Sequence, residues 1–429
     1  MKFKQTEIGC IPEHWKVLPI RDVTMAVTDY VANGSFASLA ANVSYKNDKD
    51  VAVLIRLVDY NNNFQGNFVY IDDHAYNFLS KSKLYGGEII ISNVGANVGT
   101  VFRCPTLPYK MSLAPNSIMV KFNENNDFYF HWLKSRNGQQ MIKSIVTGSA
   151  QPKFNKTNFR QMLVPVPPIE EQNRIAAILN AIDDKINKNR QTNDNLRLQI
   201  KEICTAWLTN FQPFGGQMPS DWIETPLSEI AEFISGYSYK GNELATSTVA
   251  MATIKNFDRN GGFKVEGYKE IIPSAKLKGS QRVALFDTLV AHTDLTQNAE
   301  VIGNAELVMS KAKYKDIVFS MDLVKVLPKN CGISKFLIAA ILQDKRFKAH
   351  CLGYVNGTTV LHLSKKALPE YKLYLPSNMD ELKPFDNIVT VLYKEIASNI
   401  SEITQLELLR DSLLPKLMSG EIDVSAVQL

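Results

Sequence analysis

No apolar run in these 429 residues approaches the roughly 18 that a membrane-spanning helix needs, so a helical membrane protein is excluded. Cysteine is scarce: five residues, at positions 10, 104, 204, 331 and 351, odd in number and with no Cys-x-x-Cys pair. They read as reduced thiols of a cytoplasmic protein, not as a disulfide framework or a zinc site. The N-terminal MKFKQTEIGCIPEHW lacks the apolar core of a secretory signal. Six histidines show no metal-ligand spacing, and no metal is expected. Neither charge sign dominates: 48 basic against 43 acidic residues leave a net charge of +5, which permits a nucleic-acid partner without establishing one.

What is present is a globular composition, 45% hydrophobic and 21% charged, in a chain long enough for two or three domains. Its organising stretch begins at a proline stop, VPVPPIEEQ. Ile175, Leu179, Ile182, Ile186, Asn189, Asn193, Leu196, Ile200, Ile203 and Trp207 then alternate four and three apart, a heptad seam. Pro168 suits a helix start, and Glu170 and Glu171 put negative charge on the first turn. A helix from Ile175 to Trp207 would be roughly 48 Å long, with a stripe that needs a partner. Val389, Leu392, Ile396, Asn399, Ile403, Leu406, Arg410, Leu413 and Leu417 repeat the spacing near the C-terminus. Polar residues break both seams, and buried polar seam positions give up stability while setting register.

The chain is also duplicated. Pro12, Trp15, Pro19, Ile20 and Val23 return as Pro219, Trp222, Pro226, Leu227 and Ile230, a shift of 207 (219 − 12). Gly148, Phe154, Phe159, Val164, Val166 and Pro167 return as Gly357, Leu363, Leu368, Leu373, Leu375 and Pro376, a shift of 209 (357 − 148). Short β-rich runs at 51–58, 88–92, 162–166, 280–291 and 307–327 predict strands. Segments 127–144 and 335–351 predict helices, the first interrupted or ended near Gly138, and Ser92 to Thr100 predicts a glycine-asparagine turn region. The expected class is α+β. Its expected divisions are a first domain at 1–168, a central helix at 169–212, a second domain at 213–377, and a C-terminal helix and tail at 378–429.

IGCIPEHWKVLPI, GSAQPKFNKTNF before PVPPIEEQNRIAAILNAIDDKI, TDLTQNAEVIG and ELLRDSLLPKLMSGEIDV together make the sequence resemble the specificity subunits of type I restriction-modification systems. The resemblance runs the length of the chain, although the second helix start, LYLPSNMDELKPFDNI, is degenerate. It implies two target-recognition domains, each reading half of a bipartite site in double-stranded DNA, separated by two long helices that pair antiparallel as a coiled-coil spacer. Two modification subunits would supply S-adenosylmethionine-dependent adenine methylation and restriction subunits would join them. The specificity chain itself would bind no cofactor and catalyse nothing. Because the halves have diverged, the expected site is asymmetric.

The residues agree that chemistry is missing. Pro167-Pro168 precedes a helix and reads as its start, not as the Asn/Asp-Pro-Pro-Tyr/Phe-type motif that holds a flipped base. Asn93 to Gly99 contains glycine but lacks phosphate-loop spacing. Glu370-Tyr371-Lys372 resembles a nuclease Glu-x-Lys by chance, and Cys351 beside His350 is adjacency without nucleophile geometry. Base edges are read by Arg, Lys, Asn and Gln, and phosphates are held by Lys and Ser/Thr. The favoured DNA-contacting groups are Asn93, Asn97, Thr100, Arg103, Gln151, Lys153 and Lys156 in the first half. In the second they are Lys255, Arg259, Arg282, Thr293, Asp294 and Gln297. The alternative function is a stand-alone DNA-binding regulator.

Overall fold

The computed structural model describes residues 2–259, 261–296, 298–329 and 332–427. It divides into two compact units, one of residues 1–184 with 407–429 and one of 185–406.

The first unit carries two four-stranded sheets. One runs Thr24–Asp29, Ser117–Phe122, Ile89–Ser92, Val101–Arg103 in spatial order, all antiparallel. The other runs Val69–Ile71, Ala52–Ile55, Lys110–Leu113, Lys83–Leu84, with its two inner strands parallel. Ile89, Ile90 and Ile91 are all fully buried, as expected of a β-branched run covered on both faces. The predicted strand at 51–58 stops at Ile55, and Leu57–Asn61 is helical. Asp59 marks the end of the strand: its carboxylate accepts from the Arg56 backbone N–H and from the Arg56 guanidinium, while its own N–H bonds Arg56 O.

The second unit repeats this strand for strand. Ala231–Ser235, Leu323–Pro328, Thr288–Ala291 and Ala305–Leu307 form the antiparallel sheet. Lys269–Glu270, Val249–Ala252, Asp316–Phe319 and Arg282–Val283 form the other, again with parallel inner strands. The ribbons closing each unit agree residue for residue with the repeat read from the sequence. Val164 faces Leu18 and Val166 faces Lys16; Leu373 faces Thr225 and Leu375 faces Ile223.

The helix predicted at 127–144 is two helices, Asn126–Lys134 and Arg136–Ser144, and the break is Ser135, not Gly138. Ser135 Oγ accepts from the Gly138 N–H, one of the free donors in the first turn of the second helix. Gly138 sits inside that helix because a Cβ there would strike the Trp132 carbonyl oxygen and lie 2.8 Å from Leu133 Cα. Likewise the segment 335–351 is Lys335–Leu342 followed by Lys345–Leu352, with Asp344 capping the second piece.

Both long helices are present, at Ile169–Leu208 (40 residues) and Lys383–Met418 (36 residues). Their seam positions enter the cores. Ile175 and Leu179 pack with Leu417 and Met418 around Trp15, Phe128 and Trp132 in the first unit. Ile200 and Cys204 pack with Val389, Tyr393 and Ile396 around Trp222 and Leu337 in the second. Within each unit the pairing is antiparallel. Asp183 meets Arg410 at 3.1 Å in the first, while Asn189 meets Glu402 at 2.7 Å and Asn193 meets Asn399 at 2.9 Å in the second. Of the apolar residues off the seams, Ile178 and Leu414 join the first core, whereas Leu198 and Leu409 are 58% and 46% exposed.

The two helix starts differ as their sequences do. At the intact PPIEEQ, Glu171 accepts from Trp15 Nε1 at 2.8 Å and pairs with His14 Nε2 at 2.7 Å. The degenerate copy opens with a short 3-10 turn, Met379–Leu382, and Trp222 Nε1 is buried with no hydrogen-bond partner. That tryptophan is enclosed instead by the edges of Phe211 and Phe214.

Candidate nucleic-acid interface

In each unit the antiparallel sheet delivers its loops to one cluster. In the first, segment 92–100 leaves strand Ile89–Ser92 and returns through Gly99, whose N–H bonds Ser92 O at 2.8 Å with φ at +91°. The Asn93 N–H bonds Asn116 O at 3.1 Å, the Phe154 N–H bonds Asn93 O at 3.1 Å, and the Gly95 N–H bonds Pro152 O at 2.9 Å. Three loops far apart in sequence are thereby tied by backbone groups, leaving their tips free of that duty. A small hairpin projects from them. Thr147 and Lys153 exchange two 2.8 Å backbone bonds, and Lys153 also bridges Val94. Gly148 turns the hairpin at φ +89°, where a Cβ would lie 2.9 Å from Gln151 O.

The second unit builds the same cluster. The His292 N–H bonds Asp322 O at 2.8 Å and the Leu363 N–H bonds His292 O at 2.9 Å. His362 pairs with Thr293 on one side and Asn356 on the other, as Lys153 does with Val94 and Thr147. Gly357, at φ +110°, turns this hairpin, and a Cβ there would strike Val360 O.

The predicted residues divide on this frame. Asn97, Gln151 and Lys153 are exposed on the first cluster, and Thr100 is half-buried with its hydroxyl on Asn97 O at 2.9 Å. Asn93 is an organiser: its side-chain N–H donates to Phe154 O at 3.1 Å, and its Oδ1 is buried without a partner. Lys156 reaches back to Asp29 at 2.9 Å. Arg103 lies away from the cluster, paired with Asp127 and Asn180 at 3.1 Å each and stacked 4.3 Å over Phe130.

In the second unit Thr293 is buried in the cluster, near His362 Nδ1. Asp294 is 2% exposed and accepts from the Thr296 N–H and hydroxyl and from the Val301 N–H, with a longer bond from Ile302. Burial raises its carboxyl, and the four donors more than offset that, holding it below the usual carboxylate range. This carboxylate shapes the loop that follows and turns no oxygen outward. Arg259 is exposed and joins that loop through Glu300 at 2.9 Å. Lys255 is exposed on a 3-10 turn, and Arg282 pairs with Asp316 on an edge strand of the other sheet. Gln297 lies outside the described residues. Sequence reasoning passed over His292, His362 and Asn116. The repeat offset that carries Gly148 to Gly357 also carries Lys153 to His362, and it was the available signal.

The suspected chemistry is dispersed by the fold. Glu370 accepts from the Tyr354 hydroxyl at 2.7 Å, while Lys372 pairs with Glu224 at 2.7 Å. Cys351 is fully buried and its thiol is pushed up to about 12 by desolvation; the His350 ring bonds Ala367 O. Among the described residues no group of three or more His, Cys, Asp or Glu is placed to hold a metal, and no helix is long and apolar enough to cross a membrane.

A different polar cluster fixes the long helices in place. In the first unit Asn180 is its hub: Oδ1 accepts from Arg103 at 3.1 Å and faces His131 Nε2 at 2.9 Å, and Nδ2 donates to Asp127 at 2.7 Å. Burial lowers the His131 pKa, which keeps the ring neutral. In the second unit the counterpart is Glu306, on the sheet's edge strand. It accepts from the Gly262 N–H at 2.6 Å and from Gln343 Nε2 at 3.4 Å, and Tyr393 of the C-terminal helix donates to Gln343 Oε1 at 2.8 Å. Desolvation pushes the Glu306 carboxyl up to about 7, against the pull of Gly262, Arg197 and Lys201.

Comparison with known proteins adds the following. Residues 12–197 match the type I restriction modification DNA specificity domain. The type I restriction enzyme MjaIX specificity subunit of Methanocaldococcus jannaschii is 22% identical over 449 residues, covering 99% of this chain and 97% of that protein. The MjaVIII specificity subunit of the same organism is 24% identical over 461 residues, covering 98% and 96%. A type I restriction-modification S subunit from M. genitalium superposes with a TM-score of 0.51 at 16% identity, covering 94% of this chain and 96% of that one, a likeness of fold.

Proposed function

We propose that this chain, whose residues 12–197 match the type I restriction modification DNA specificity domain and which is similar over nearly its whole length to type I specificity subunits, is the DNA-reading subunit of such a complex and recognises an asymmetric, two-part site. The observation that carries this reading is the strand-for-strand duplication of a domain whose loops gather into one exposed cluster in each unit. Each cluster reads one half-site, and because their exposed side chains differ, so do the two half-sequences. In the first unit Asn97, Thr100, Gln151 and Lys153 face the DNA; in the second, the exposed Arg259 does so. The division into recognition domains at 1–168 and 213–377 with helices at 169–212 and 378–429 follows from the same reading. The paired helices act as the spacer that sets the unread gap, since each residue of helix adds about 1.5 Å.

Methyl transfer and cleavage belong to partner subunits: two modification subunits dock on the helical region, restriction subunits join them, and the assembly works in the cytoplasm. The exposed Leu198 and Leu409 support docking on the helices. These similarities favour the specificity subunit over a stand-alone regulator.

The test is to co-express the chain with its methyltransferase subunit and map methylated adenines across the host genome. A two-part motif with a fixed unread gap is expected. A contiguous motif would overturn the two-headed reading, and methyl transfer by the chain alone would overturn the division of labour.

A further inference from the structure

We infer that Lys153 and His362 are equivalent DNA-backbone anchors, one in each unit, each taking a phosphate of its own half-site. The inference rests on the DNA-reading function proposed above. Three observations lead to it.

The first is positional. Lys153 is flanked by antiparallel bridges to Thr147 and Val94, and His362 by antiparallel pairings to Asn356 and Thr293, the same place in the same fold. The second is the construction of the platform. Each hairpin is turned by a glycine at positive φ, Gly148 or Gly357, whose missing Cβ lets a carbonyl three residues on approach. Between that glycine and the anchor the sequences diverge, Ser149-Ala150-Gln151 against Thr358-Thr359-Val360, while the anchor keeps a cation-capable side chain. The third is availability. Both side chains are exposed, and among the described residues neither has an acid partner, whereas Lys156, Arg103 and Arg282 are consumed by Asp29, Asp127 and Asp316. His362 Nδ1 lies 3.4 Å from the Thr293 hydroxyl, so Nε2 is the atom left to meet a ligand.

An exposed cation on a rigid two-bridge platform suits a phosphate better than a base edge. Its position is set by backbone bonds, and Lys and His lack the planar guanidinium fork of arginine. The anchors hold each loop cluster at a fixed height on the duplex while the divergent residues around them meet the bases. His292, Asp294, Asp322 and Lys365 surround the His362 platform, so its local field is of mixed sign.

The experiment uses the full chain assembled with its methyltransferase subunits. Binding to a duplex carrying the mapped site is measured from low to high salt at about pH 6. Lys153→Ala and His362→Ala should each weaken binding about tenfold and lower the salt slope by about one, with the methylated sequence unchanged. His362→Lys should preserve both affinity and slope. Unchanged affinity and slope in the alanine variants would overturn the inference, as would a changed recognition sequence, which would make these residues base readers. If the unaltered complex showed no site-selective binding, the DNA-reading function itself would fail, and the two failures are distinct. Circular dichroism of each variant shows whether the fold is intact; His362→Gln, which keeps the side-chain bulk, gives a second reading.

Discussion

Asn399 Nδ2 donates to Asn193 Oδ1 at 2.9 Å with both side chains buried, so the helix pair of the second unit closes on an amide–amide hydrogen bond where two leucines would otherwise pack. The bond needs one relative register of the two helices, and a leucine pair would tolerate several.

A single Asn193→Leu should therefore destabilise by about 1–3 kcal/mol, because Asn399 keeps its polar atoms buried without a partner. The double variant with Asn399→Leu should recover that loss or exceed it. A double-mutant cycle in urea measures the coupling. Register is read separately, as disulfide yield between cysteines placed at Lys185 and Glu402, which pair at 3.2 Å. The yield should fall in the double-leucine chain; an unchanged yield would assign register to the apolar seam alone.

Asn180→Leu should cost about 1–3 kcal/mol through His131, Arg103 and Asp127, all of which lose a partner at once. Asn173→Ala, on the same helix with an exposed bond to Asn125, is the comparison and should cost much less. Equal effects on thermal unfolding would remove Asn180 from its role as hub.

Glu306 makes stability depend on pH in a defined direction. Its folded carboxyl is raised to about 7, so the native state binds the proton more tightly than the unfolded chain does. Stability from this group is greatest below about pH 4 and is lost as pH rises through the folded value, on the order of 3 kcal/mol in all. E306Q keeps the acceptor for Gly262 and removes the titration. The stability of E306Q relative to the parent should rise between about pH 4.5 and 7 and then level; a flat difference would show that folding leaves this carboxyl's titration unchanged.

Four residues inserted after Asn189, matched by four after Glu402 to keep the antiparallel seam, lengthen the helices by about 6 Å, close to two base pairs. Methylation mapping should show a wider gap between unchanged half-sites. Altered half-sites with an unchanged gap would assign spacing elsewhere.

Much of this architecture was legible in the chain because duplication leaves two independent records of one fold. Trp15 and Trp222, or Val164 and Leu373, are buried at the same offset that sequence matching provides. Burial of Asn189, Asn193 and Asn399 was implied by their seam positions, since heptad spacing depends only on helix periodicity. The interruption expected near Gly138 falls at Ser135, three residues earlier, for a physical reason. Glycine usually ends a helix by its backbone freedom, but here its small size admits the Trp132 carbonyl.

The candidate site was legible as segments and not as residues. Segment 92–100 and the group Gln151, Lys153 and Lys156 were singled out from the sequence, yet nothing local marks Lys156 as neutralised by Asp29 or Asp294 as a loop organiser. Those fates depend on partners 127 residues away and on four donors converging on one carboxylate. The sequence by itself determined the repeat, the two long helices and their polar interruptions, because periodicity and duplication are properties of order along the chain. Only the tertiary structure decided which cations remain free to meet DNA, because a side chain is spent or spared by whichever neighbour the fold brings to it.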